Sequence, residues 1–180
     1  QIPGHLRNTH PLSKLVEALF MRETYTSQML YSGRVKMFMD GVMDSYTALM
    51  VDPYPDRPDT SGVAVFTAEA FNEAVIKADG LGLQISVHCC GDGAVRRTLD
   101  GFEAAMKQNG RRDSRHRIEH IETVTDSDIP RFAQLGVIAS MQPLHSPAAG
   151  LFPPMPKGMI YHDHQVHNAF AWRTLRSAGA

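Results

Sequence analysis

Cysteine is nearly missing from these 180 residues: there are two, Cys89 and Cys90, and they are neighbours. A bridge between adjacent residues is geometrically strained, so no disulfide framework is available, and a reducing, cytoplasmic setting is the expectation. Long apolar runs are missing too. No stretch approaches the roughly 20 residues that a membrane span needs, so no membrane role is expected. Excess charge of one sign is also lacking, because the formal net charge is -1 with acidic and basic residues interspersed. That leaves no electrostatic footprint for nucleic acid or an anionic lipid surface, and suits a small, weakly charged molecule as the partner. The chain opens at Gln1 without a basic segment leading into an apolar one, so no signal peptide is expected. Neither an internal repeat nor a low-complexity tract occurs.

What is present is a recurring unit: a short apolar run, a turn with glycine or polar residues, then a helical pattern. The first helix is expected from Pro11, with Leu15, Val16, Ala18 and Leu19 on its stripe and a continuation towards Met29 and Leu30. Arg34 to Met39 reads as a strand stopped by Asp40-Gly41. A long loop with Pro53, Pro55 and Pro58 follows, since prolines remove donors and fix φ. Thr67 caps a helix to Leu81, and 83–87 reads as a strand that delivers His88 at its end. A helix over 93–108, a strand over 115–121, a short helix from Thr125 to Leu135 and a strand over 137–141 complete the alternation. Pro147 to Pro156 reads as a proline-rich loop, 159–161 as a short apolar run in a loop, and 169–177 as a last helix. Four strands alternating with helices predict an α/β protein with a parallel sheet or a partial barrel.

Functional side chains of parallel α/β folds gather at the C-terminal strand ends, where the loops converge on one rim. His88 and His120 stand at such ends. Neutral imidazoles there can hold Zn²⁺ or a similar ion, and a metal with an open position lowers the pKa of a bound water towards neutrality. On spacing alone, histidines this far apart are more often structural. Lys36 sits in an apolar run, where an ammonium is costly to bury; without further context it reads as a lysine whose head reaches solvent. Arg115, Arg117 and Glu119 alternate with His116, Ile118 and His120 and read as a charged strand face paired with neighbours. The cluster His162, His164 and His167 reads as a surface loop able to collect adventitious metal. Met37, Met39, Met43 and Met50 read as adaptable packing.

Four stretches carry a resemblance: Val35-Lys36-Met37-Phe38-Met39-Asp40-Gly41, Val87-His88-Cys89-Cys90-Gly91-Asp92-Gly93-Ala94-Val95, Arg115-His116-Arg117-Ile118-Glu119-His120 and Ile138-Ala139-Ser140-Met141-Gln142-Pro143-Leu144-His145. Together, and in this order, they resemble the amidohydrolase 3 branch of the amidohydrolase superfamily, which includes YtcJ-like and N-substituted formamide deformylase-like proteins. The resemblance implies a partial TIM (β/α)8 barrel of about four βα units, family strands four to seven, with residues 1–180 as one partial domain truncated at both ends. It implies Lys36 as the strand-four lysine that is carboxylated in some relatives, His88 as the strand-five ligand and His120 as the strand-six ligand of a divalent metal, zinc in the first instance. Asp92 corresponds to a Gly-Asp position that orients the rim, and His145 to a Gln-Pro-x-His position near the substrate. The family's first-strand His-x-His pair and strand-eight Asp have no counterpart here. The expectation is therefore a piece of an enzyme that hydrolyses amide, formamide or other C–N bonds, inactive by itself. The competing expectation is a truncated half-barrel whose exposed edges drive self-association into a homo-oligomer. A third is a binding module that takes metal at the histidine cluster.

Overall fold

The computed structural model describes residues 11–146 and 162–180. The expected loop over 147–156 and the apolar run over 159–161 lie outside the described residues. Strands β1 (Arg34–Phe38), β2 (Gln84–Cys89), β3 (Arg117–His120) and β4 (Ile138–Ser140) form one parallel sheet in the order β1-β2-β3-β4. Helix α1 (Pro11–Thr24) precedes the sheet, while α2 (Ala68–Gly80), α3 (Asp92–Asn109) and α4 (Ile129–Leu135) link successive strands. The short α5 (Asp163–Val166) and α6 (Trp172–Ser177) follow. Right-handed crossovers put the three linking helices on the same face of the sheet.

The sequence explains why the two faces differ. Val35, Met37, Ile85, Val87, Cys89 and Ile118 turn towards the helices and pack with Phe71, Val75, Leu99, Phe102 and Phe132. Phe71, Leu99 and Phe132 are fully buried, and burying a side chain of that size stabilises by about 1.5–3 kcal/mol. The intervening positions give the opposite face a polar character: Lys36 is in register with Ser86, Ser86 with Arg117, His88 with Glu119, and Glu119 with Ser140.

Several boundaries differ from expectation, each for a local reason. Helix α1 stops at Thr24, because the Ser27 hydroxyl accepts the Met29 and Leu30 N–H groups and bends the chain away from a helix. Strand β2 runs through His88 to Cys89, so the imidazole projects from inside the strand. Helix α4 begins at Ile129, because Pro130 belongs in a first turn and the preceding Thr125 hydroxyl is engaged with Asp128. The last helix starts at Trp172, since Phe170 is left-handed at φ 52. The histidine cluster, read as a loop, contains the helical turn α5.

The end of the sheet opposite the expected site is closed by a buried polar clasp. His116 Nδ1 accepts the Ile85 N–H at 3.1 Å, which leaves Nε2 to donate to Asp79 at 3.0 Å. Arg112 Nε donates to the same carboxylate at 2.7 Å and Asn109 to its other oxygen at 2.8 Å, and the imidazole stacks on Phe102. Burial, reinforced by Arg112, lowers the His116 pKa to about 4. The unfolded chain therefore takes up a proton near pH 6.5 that the folded chain refuses until about pH 4. The clasp's stabilisation is predicted to be complete above about pH 6.5 and to drain away as the pH falls towards 4. Thermal melts across this range will show it, and in His116→Gln the slope should flatten while the protein loses about 2–3 kcal/mol at neutral pH.

Candidate metal centre

At the C-terminal end of the strands, Asp40 organises the backbone. Its carboxylate accepts the N–H groups of Leu49 at 2.9 Å, Cys90 at 3.0 Å and Gly91 at 2.9 Å. One side chain thus binds the exit of β1, the long loop behind it and the turn from β2 into α3. Burial pushes its pKa up to about 6 against these three donors. The loop after β1 carries its own small core of Met43, Ala48, Met50, Tyr54 and Cys90, with the Tyr54 hydroxyl donating to Ala48 O at 2.7 Å. Gly91 is required where this loop crosses, since a Cβ there would lie 2.0 Å from Leu49 O.

The Gly41 carbonyl, next in the chain to Asp40, receives His88. Nε2 lies 2.8 Å from Gly41 O, and because a carbonyl can only accept, Nε2 carries the proton. The Nδ1 lone pair is thereby left for another partner, which is how metal-binding histidines are usually oriented. Burial lowers the His88 pKa, with Lys36 and His145 adding to the effect.

His120 ends β3 in register with Cys89, whose side chain lies in the helix-side core. Simple alternation would send His120 there too. Instead His120 (φ 76) and Ile121 (φ 51) are both left-handed, a conformation that costs on the order of 1–3 kcal/mol for a residue with a Cβ. The turn buries Ile121 in the core and swings the His120 ring to 4.4 Å from the His88 ring, edge to face. His145 stacks on the same ring at 5.3 Å. Burial, with the charges of His88, His145 and Lys36, lowers the His120 pKa to about 4. Its Nδ1 is buried without a hydrogen-bond partner. Two adjacent imidazoles that burial keeps neutral, one with Nδ1 free of the Gly41 bond and the other with a buried Nδ1 that has no partner, are donor types that suit a divalent cation.

Lys36 lies on the same face, its amine 5.2 Å from the Phe38 ring, which in turn contacts His88 at 5.2 Å. Burial lowers its pKa, with Glu119 opposing. Its residue surface is nevertheless exposed, in keeping with a lysine whose head reaches solvent, on a strand that lies at one edge of the described sheet. Lys36, His88, His120 and His145 are thus brought together. Asp92 is not: fully buried at the start of α3, it accepts the Val51 N–H and the Gln165 amide, both at 2.8 Å, and docks the long loop and α5 onto the rim. His167 instead faces Asp126 at 3.3 Å on the surface.

The sequence reading gave no site role to four groups. Asp40 had been taken only as a strand stop. Cys90 Sγ lies 3.5 Å from His88 Nε2, and donor atoms of Asp40, His88 and Cys90 fall within 4.8 Å of one another. That triangle is a poor cation site, because the Asp40 oxygens already accept three N–H groups, His88 Nε2 is engaged by Gly41, and burial pushes the Cys90 thiol up. Glu122 is pushed up to about 7 by burial and by Asp40, and lies 4.0 Å from His145 Nδ1. Burial would raise Glu119, but the Ser140 and Ser86 hydroxyls and the Arg117 guanidinium hold it at about 2. An acidic residue on a short parallel strand, between Ile118 and His120, was the available signal for Glu119.

Paired imidazoles at the strand ends of a parallel α/β sheet are an arrangement compatible with metal-dependent hydrolases. The amidohydrolase family matches residues 4–180, and the chain belongs to that family. It is 38% identical to Protein LONG AFTER FAR-RED 3 of Arabidopsis thaliana over 133 residues, 74% of this chain and 23% of that one. It is 34% identical to the putative amidohydrolase YtcJ of Bacillus subtilis (strain 168) over 147 residues, 82% of this chain and 26% of that one. An uncharacterized metal-dependent hydrolase from Pyrococcus horikoshii OT3 superimposes with a TM-score of 0.75 at 28% identity, over 93% of this chain and 32% of that one. The chain therefore spans about a quarter of the length of these curated relatives.

Asp40→Ala is predicted to destabilise the chain by about 3–5 kcal/mol, because two buried N–H groups and one part-buried one lose their acceptor together. Urea denaturation checks the magnitude. A cost below about 1 kcal/mol would mean that Asp40 does not anchor the rim.

Proposed function

We propose that the chain supplies Lys36, His88 and His120 as ligands to a divalent metal, zinc in the first instance, in an enzyme that hydrolyses amide, formamide or related C–N bonds of a small molecule. Its four strands correspond to strands four to seven of a TIM barrel. The observation that carries this reading is the paired imidazoles at 4.4 Å, one with Nε2 tied to Gly41 O and the other with a buried, unpartnered Nδ1. Family membership and the hydrolase fold of the Pyrococcus horikoshii structure support it.

A bound ion supplies Lewis acidity, lowering the pKa of a coordinated water towards neutrality and polarising a carbonyl. The chain's own residues do the rest. Gly41 O fixes the His88 tautomer, and the left-handed turn presents His120. Both imidazoles resist protonation at neutral pH, so their lone pairs stay available. The Lys36 amine is open to carbon dioxide: its nitrogen would bond to the carbon and lose a proton, giving a carbamate that is anionic and able to ligate. His145, stacked on His120 and partly open, is placed to meet the substrate.

The experiment is metal titration of the chain. About one equivalent of Zn²⁺ or Co²⁺ is expected, and His88→Ala and His120→Ala should each weaken binding at least about tenfold, whereas His167→Ala should not. Native affinity in the His88→Ala/His120→Ala double variant would remove the assignment.

A second reading rests on surface chemistry. Val16, Phe20, Met29, Leu30 and Tyr31 are all exposed, and β1 and β4 each have one edge without a strand among the described residues. Such surfaces favour pairing with another copy, so the isolated chain should run as a dimer or larger species. Light scattering at micromolar concentration decides it, and a monodisperse monomer would count against self-association.

A further inference from the structure

The left-handed pair at His120 and Ile121 persists only if the chain on both sides over-determines it. Downstream, the hold is apparent: Ile121 is fully buried and donates its N–H to Cys89 O at 2.9 Å, and the Thr123 N–H reaches Cys90 O at 3.1 Å. Upstream, the residue adjoining the turn is Glu119, and its carboxylate is bonded to three strands at once. Ser86 of β2 donates at 2.6 Å, Ser140 of β4 at 2.6 Å and Arg117 of β3 at 2.7 Å. Arg117 also donates to the Ser140 hydroxyl at 2.6 Å, closing the network on itself. All of these partners lie on the polar face of the sheet. They restrain the last turn-free residue before the backbone reverses.

We propose that Glu119 is a positioning residue: by cross-linking β2, β3 and β4 it holds the backbone reversal that aims the His120 ring at His88 instead of the helices. The inference rests on the reading of His120 as a metal ligand for its functional consequence, but the geometric claim stands apart from any ion. A carboxylate is suited to the task because its two oxygens accept all three donors together, whereas an amide at the same place offers one acceptor oxygen, and its NH₂ group would face the donor-only Arg117 guanidinium or force a serine hydroxyl to turn from donor to acceptor. A merely stabilising stitch would shift the melting temperature and leave the ring where it is.

The test uses the chain without metal and then with Co²⁺. In Glu119→Gln, the His120 backbone coupling should move towards that of an extended strand, and the His120 and His88 ring ¹⁵N signals should shift. The His116 signals, in the clasp at the other end of the sheet, should stay fixed. Co²⁺ affinity should fall about tenfold or more with a changed visible absorption spectrum, in the range seen when groups that orient metal ligands are removed. Glu119→Asp, which keeps the charge, should recover part of both signals. Native His120 coupling and ring shifts in Glu119→Gln would overturn the proposal whatever the metal does. A displaced ring with unchanged Co²⁺ affinity would uphold the clamp and overturn His120 as a ligand. Should Glu119→Gln not fold, Ser140→Ala removes one donor, keeps the Arg117 pair and is read in the same way.

Discussion

The carboxylate of Asp40 is the contact on which the rim depends. Parallel strands end in loops whose N–H groups have no strand to bond, and unsatisfied N–H groups are costly once buried. Asp40 satisfies three of them from two different loops, and so fixes where Gly41 lies. The Gly41 carbonyl then sets the His88 tautomer. A backbone problem common to every α/β rim is solved here in a way that also orients an imidazole. Asp92 repeats the device one turn further out, holding Val51 and Gln165, so the loop after β1 and helix α5 are both fastened by buried acids rather than by apolar packing alone.

The polar face of the sheet follows from the same logic. A sheet covered by helices on both sides would be apolar throughout. Here one side carries Lys36, Ser86, His88, Arg117, Glu119 and Ser140 in adjoining registers. Glu119 is charged because three donors overcome the penalty of burial, and the network leaves the imidazoles as the groups with spare bonding capacity. Polar residues placed on a parallel sheet are expensive, and here they are concentrated on one face of it.

Much of this was legible in the sequence. The alternation of apolar runs with helical stripes fixed the four strands, and Thr67 capping Ala70 is visible in the residues themselves. His88 and His120 were singled out by position, and the resemblance added Lys36, Asp92 and His145. What could not be read was anything set by contacts across distant segments. Asp40 gains its role from Cys90 and Gly91, fifty residues away in the chain, and Glu119 from Ser86 and Ser140. The end of α1 was missed because a single serine hydroxyl outweighed a continuing apolar stripe that had nothing to bury against.

His116 and His120 show why residue type alone does not assign a role. They are four residues apart, both are buried enough for the pKa to fall to about 4, and either would be a fair guess for a ligand. In His116 both ring nitrogens are committed, Nδ1 to the Ile85 N–H and Nε2 to Asp79, and the ring is stacked on Phe102. Its low pKa is the mark of a group whose neutral form is already fully bonded. In His120 the depression comes from burial beside other basic groups, and Nδ1 has no partner. The same shift thus has different origins: at one end of the sheet it accompanies a ring with both nitrogens bonded, and at the other a ring with a buried nitrogen that has no partner.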